Sequence, residues 1–168
     1  MAAFTPQYHS LATPHPILWT SGPNPYEVSK AIIQCRIHSG RFRTELLPSH
    51  WSSNRLGYCL NSECSEVPET LEHILLWCPS YHEKRVKLRA FSLANTDSTV
   101  DQFVSKVLDG TPSLFLQFLL DASVFPEVIC LVQMYGDQPL KTLFHITRTW
   151  CFTIHKERAS ILQRWPHL

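Results

Sequence analysis

The chain has 168 residues, a formal net charge of +1, 44% hydrophobic and 17% charged residues. This excludes a disordered polyelectrolyte and a protein basic over its whole surface, and it leaves one domain, or two small ones, able to build a core. The longest apolar runs, Leu114–Leu120 and Val128–Val132, are too short to span a bilayer.

Residues 1–23 carry Pro6, Pro14, Pro16 and Pro23 with little periodicity and are expected to form an extended or disordered lead-in. No apolar run of secretory length occurs there. The six cysteines are therefore expected in a reducing, intracellular setting, nuclear or cytoplasmic, and not as a disulfide framework.

A helix should start at Asn24-Pro25-Tyr26-Glu27, with Asn24 as N-cap, Pro25 in the first position and Glu27 completing a capping box. Val28, Ala31, Ile32 and Cys35 predict its buried stripe. Gly40 is the expected stop. Arg41 and Arg43 follow, with Phe42 between them, an interleaving that suits bases and phosphates but equally a solvated helix end.

The most concentrated chemistry comes next. Cys59, Cys64, His73 and Cys78 form a C-x4-C-x8-H-x4-C pattern. Three thiols and one imidazole within twenty residues are the ligand set of a closed, tetrahedral structural zinc site. Asn61 and Ser62 should turn the first loop. Pro68 is expected to open a short helix with Glu69 and Glu72 in its first turn, His73 on it and Cys78 at its end, stopped by Pro79. The alternative is a set of buried free thiols and a core or surface histidine. Trp51 and Trp77 are possible stacking groups, although Trp77 follows Ile74, Leu75 and Leu76 and reads better as core.

Pro79 should open a basic helix carrying Lys84, Arg85, Lys87 and Arg89 and ending near Leu93. Ser98 is the expected cap of the next helix, whose stripe is Val100, Phe103, Val104, Val107 and Leu108, closed by Gly110. Leu114–Leu120 is apolar on nearly every side and should be central to the core. Pro126 opens a helix from Val128 to Tyr135, closed by Gly136. Pro139 begins the longest pattern, with Leu143, Phe144, Thr147, Trp150, Cys151, Ile154 and Arg158 on one stripe and Lys141, His145, Arg148, His155 and Lys156 off it. No strand alternation of useful length occurs. The expected fold is all-α: lead-in 1–23, helix and Cys/His region 24–95, and a C-terminal helical region 96–168 packed on it.

Charge is blocky. Residues 30–55 carry +4, 56–78 carry −4, 79–90 carry +3, 91–140 carry −5 and 141–168 carry +4. Basic blocks on both sides of the cysteine motif suit a phosphate backbone, or are ordinary solvated faces.

Three stretches, taken in order, resemble the C-terminal region of a non-LTR (LINE-type) retrotransposon reverse transcriptase polyprotein. They are SGRFRTELLPSHWSSNRLGYC (39–59), the Cys59–Cys78 knuckle with its LEHILLWCPSY core, and FLLDASVFPEVI (118–129) with FHITRTWCFTIHKERASILQRW (144–165). The resemblance implies zinc at Cys59, Cys64, His73 and Cys78, and contact with template RNA or target DNA. Arg41 and Arg43, with the basic Lys84, Arg85, Lys87 and Arg89, are the candidate contacts. It also implies an upstream reverse transcriptase region as partner. The chain has no Tyr-x-Asp-Asp segment and no adjacent acidic pair, so two-metal polymerase chemistry is not expected. The expectation is a detached, non-enzymatic tail. A structural or protein-interaction helical tail, or a non-functional remnant, is the alternative. A Cys/His enzyme is disfavoured because a closed four-ligand site leaves no open position.

Overall fold

The computed structural model describes residues 24–39, 58–59, 61–64 and 67–164. The lead-in, Gly40, Arg41, Arg43, His50 and Trp51 lie outside the described residues. The described chain is all-α: α1 (Pro25–His38), α2 (His82–Ala94), α3 (Asp101–Leu108), α4 (Pro112–Leu120), α5 (Pro126–Tyr135) and α6 (Gln138–Arg164). An antiparallel bridge between Tyr58 and Pro68 is its only β-type pairing among the described residues. No described helix is long and apolar enough to cross a membrane.

The 27-residue α6 is the spine, and α1, α2, α4 and α5 all pack on it. Its expected stripe of Leu143, Phe144, Thr147, Trp150, Cys151, Ile154 and Arg158 is buried throughout. Neighbours on several sides widen that face, so Ile146 and Arg148 are buried too. Arg148 had been expected off the stripe. Its guanidinium lies over the Phe144 ring at 5.4 Å, which lets the long side chain pack as an apolar plate. Edge-on aromatic pairs fill the space between helices: Phe103–Phe125 at 5.3 Å, Phe103–Phe118 at 5.9 Å and Phe115–Trp150 at 4.8 Å. In α4, Phe118 and Leu119 are fully buried, whereas Leu114, Phe115, Leu116 and Leu120 pack from its rim.

Asn24 caps α1 as expected, its side-chain oxygen accepting from the Tyr26 N–H at 2.9 Å. Glu27 does not complete a box; it reaches forward to Lys30 at 2.8 Å. The buried face of α1 is also rotated from the expected stripe. Ala31 of that stripe is buried and Cys35 half-buried, but Lys30, Ile33, Gln34 and Ile37 also face inward, while Val28 is 38% and Ile32 43% exposed. The cause is a polar seam. Gln34 donates to Thr147 Oγ1 at 2.7 Å and to the Leu119 carbonyl at 3.2 Å, and these bonds fix which face turns in.

The other helix ends follow local chemistry. Asp97, not Ser98, caps the turn into α3, accepting from the N–H of Thr99 at 3.0 Å and Val100 at 3.3 Å. Val100, Phe103, Val104 and Val107 form the buried stripe of α3, with Leu108 at its margin. Gly110 follows it, and a Cβ there would lie 2.7 Å from Leu114 Cδ2. Gly136 closes α5 with φ +71°, a conformation that costs a glycine little.

Candidate metal centre

The described residues between Tyr58 and Tyr81 carry little α-helix, and their backbone brings four side chains together. The Cys59 N–H donates to Val67 O at 2.8 Å, and the Val67 N–H donates to Cys64 O at 2.9 Å. Between them the turn at Ser62–Cys64 closes with Cys64 N–H donating to Asn61 O at 2.9 Å. This small loop faces the Cys59 and Cys64 thiols the same way.

The second half differs from the expected helix. Pro68 sits in the bridge, and the helical segment starts at Thr70, whose hydroxyl accepts from the His73 N–H at 3.0 Å. Residues His73–Trp77 form a π-helical turn, closed by the Cys78 N–H donating to His73 O at 2.7 Å. Five residues of ordinary α-helix would put His73 and Cys78 about 140° apart. The wider turn brings position i+5 back beneath position i, and Pro79 then holds Cys78 extended (ψ 121°).

The result is a cluster in which the ligand atoms of Cys59, Cys64, His73 and Cys78 lie within 4.8 Å of one another. Cys59 Sγ is 3.7 Å and Cys64 Sγ 3.9 Å from Cys78 Sγ. Sulfurs bound at about 2.3 Å to one tetrahedral ion stand about 3.8 Å apart, so the spacing is that of ligands and not of a disulfide. His73 Nε2 is buried and has no hydrogen-bond partner, a defect that coordination of an ion would remove. Cys59 is half-buried and the other three are buried. The residues present therefore fit a closed four-ligand metal site.

Backbone N–H groups support the sulfurs. Those of Asn61 and Ser80 bond to Cys59 and Cys78, each donor two residues beyond its cysteine. The Asn61 side-chain amide also reaches Cys64 Sγ at 3.7 Å. The Cys78 thiol is drawn below the ordinary thiol range, first by its bond with Cys59 and against its burial. Cys59 is pushed up by the same bond and Cys64 by burial. The arrangement thus favours a thiolate on Cys78, and metal binding would deprotonate Cys59 and Cys64 as well.

The cluster is tied to the spine by an ion pair that sequence reasoning missed. Glu69 was expected in a helix first turn. It is buried and takes a two-pronged bond from Arg158 of α6: Nε to Oε1 at 3.1 Å and Nη2 to Oε2 at 2.8 Å. An arginine on an otherwise apolar stripe was the available signal, because a buried guanidinium requires a carboxylate.

The basic residues of α2 are not gathered into one free face. Lys84 pairs with Glu157 of α6 at 3.1 Å. Arg89 donates to the Leu108 carbonyl at 2.7 Å and pairs with Asp109, which closes the end of α3. Arg85 is half-buried beside the thiols; burial pushes its guanidinium down, and Cys78 and Cys64 push it back up. Lys87 is exposed and has no ion-pair partner among the described residues. Trp77, expected as core, is 54% exposed, its Nε1 donating to Glu72 at 3.2 Å. Tyr58 and Val67 are exposed on the same segment, and Tyr58 and Trp77 each directly precede a cluster cysteine.

Comparison with protein-family models, with curated proteins and with solved structures finds no match for this chain.

Proposed function

We propose that the chain is a non-catalytic, zinc-binding module that contacts single-stranded RNA or DNA. This is the role implied by its resemblance to the C-terminal region of non-LTR retrotransposon reverse transcriptases. The observation that carries the metal is the meeting of three sulfurs and an orphaned imidazole nitrogen within 4.8 Å. Zinc is the ion that suits three thiolates and one imidazole in a closed tetrahedron. Four protein ligands leave no position for substrate, so the metal is structural. Nucleic-acid contact would fall on the exposed rim, with Trp77 and Tyr58 offering stacking faces and Lys87 a phosphate contact. Arg41 and Arg43 belong to the same proposal.

The test has two parts. Metal analysis of the purified chain is expected to give about one zinc per molecule, lost in Cys64→Ser and in His73→Ala. Titration with single-stranded RNA and DNA is then expected to show binding that weakens as salt rises. Trp77→Ala should cost about 1–3 kcal/mol of it. Binding that ignores both salt and Trp77 would remove the nucleic-acid half of the proposal.

A second reading rests on a different face. On α5, Ile129, Met134 and Tyr135 are all exposed, and only Val128 of that helix is buried. With Lys84 and Arg89 engaged inside the molecule, a protein-interaction tail held together by zinc accounts for the same structure. Failure of every nucleic-acid titration, with zinc present, would favour it.

A further inference from the structure

We infer that Arg85 is a positioning residue of the metal centre, supplying the counter-charge and a hydrogen-bond donor to its thiolates from the first turn of α2. This rests on the four-ligand metal reading above and goes beyond it, because it moves Arg85 from the candidate phosphate contacts to the support of the site.

Place comes first. Cys78 leads through the turn Pro79–Tyr81 straight into α2, and that turn packs on the Ser62–Cys64 turn carrying the other buried thiol. Arg85 lies in the first turn of α2, directly after the turn that links the two thiol-bearing segments. Its guanidinium acts electrostatically on both sulfurs and on the buried Tyr81 one turn earlier. Arg85 Nη1 is shut away from solvent and has no hydrogen-bond partner. A buried, unsatisfied guanidinium nitrogen is costly, and in a native fold it needs an explanation.

The charge of the site supplies that explanation. Three thiolates and one divalent ion leave the centre at −1. One guanidinium returns the local sum to zero, and it does so from a half-buried position where screening by salt is weak. Nη1, which lacks a partner, is a donor, and a metal-bound thiolate is an acceptor. Lys84 and Arg89, one position before Arg85 and four positions after it, are drawn off by Glu157 and Asp109. Outer partners of this kind orient ligands and tune affinity, and their loss commonly costs about 10–100-fold in metal binding.

The test measures zinc affinity of the full chain by competition with a chromophoric chelator, in the native protein and in Arg85→Met, Arg85→Lys and Lys141→Met. Arg85→Met keeps the length and apolar stem of the side chain and removes its charge and donors. It is expected to weaken zinc binding by about 10–100-fold. Arg85→Lys should recover most of the charge effect. Lys141→Met removes one exposed positive charge from α6 and should change nothing. If Arg85→Met fails to fold with zinc, Arg85→Gln carries the same criterion. Native-like zinc affinity in Arg85→Met or Arg85→Gln would overturn the assignment, as would an equal loss in Lys141→Met. A native chain that takes up no zinc would sink the metal reading itself, and this role with it, a result distinct from either variant outcome.

Discussion

The segment 58–81 and the bundle around α6 solve the same problem by different means. The bundle is held by apolar area: Phe118, Leu119, Leu143, Phe144 and Ile154 are fully buried, and burial of side chains of this size contributes about 1.5–3 kcal/mol each. The segment contributes little regular structure and few large buried apolar groups, chiefly Ile74, Leu75 and Tyr81. Its geometry comes instead from short hydrogen bonds, one π-helical turn and a cluster of ligand atoms. Packing tolerates small errors, because neighbouring side chains can shift. A four-ligand site does not, because one missing ligand removes the ion and leaves the others crowded. On the proposed metal reading, the segment is the part of the molecule most exposed to a change of metal, redox state or single residue.

The largest effect should come from removing the metal. Binding of a structural zinc is worth about 10–16 kcal/mol in small metal-folded domains, comparable to the whole stability of an ordinary domain. Chelation is expected to unfold 58–81. The loss should reach the bundle, because Ile74 and Leu75 are core residues and Glu69 holds Arg158. If about 5 kcal/mol is transmitted, thermal unfolding followed by circular dichroism should shift down by about 10–20 °C in one transition. An unshifted midpoint would show the two regions to be independent, which would break the comparison.

The next pair of variants separates the two kinds of stability. Phe118→Ala should cost about 3–5 kcal/mol through a cavity at the centre of the bundle. Glu69→Ala should cost a similar 3–5 kcal/mol, by leaving the Arg158 guanidinium buried without its carboxylate. Replacing both partners by apolar residues, Glu69→Leu with Arg158→Met, should recover most of that loss in chemical denaturation. Zinc affinity should fall in Glu69→Ala and stay native-like in Phe118→Ala, since only Glu69 belongs to the segment that carries the Cys/His cluster. Equal zinc affinity in the two would mean that the ion pair does not couple the regions.

The two regions also differed in how far they could be read from the sequence. The bundle was legible where period and burial agree: every residue of the α6 stripe is buried, and Val100, Phe103, Val104 and Val107 line α3. It was misread on α1, where Gln34 and not the Val28–Ile32 pair sets the inward face. A one-dimensional apolar pattern has no place for a glutamine that bonds across two helices. The cluster was legible because three cysteines and a histidine within twenty positions are rarely idle. Its framework was not. The π-helical turn and the Thr70 cap bring His73 and Cys78 to one cluster, and Trp77 between them is left exposed. Spacing alone defaults to an α-helix in which those two residues would diverge.

The smallest effect is the sharpest, because the same chemical change can be made once in each region. Thr70 accepts from the His73 N–H at 3.0 Å, and Thr111 accepts from the Leu114 N–H at 3.3 Å at the start of α4. Alanine at either position deletes one helix cap and should cost about 1 kcal/mol. At Thr111 that cost should appear only in unfolding, because α4 is formed whether or not the metal is bound. At Thr70 the cap belongs to the segment that carries the Cys/His cluster, so on the proposed metal reading its loss should appear as weaker zinc binding, about fivefold for 1 kcal/mol. A chelator-competition titration of the two variants reads this directly. A fivefold loss in Thr70→Ala with none in Thr111→Ala would show that the ion, and not the apolar core, sets the fold of 58–81. Equal zinc affinity in both would mean that the segment is already formed before the metal arrives, held by the bundle beneath it.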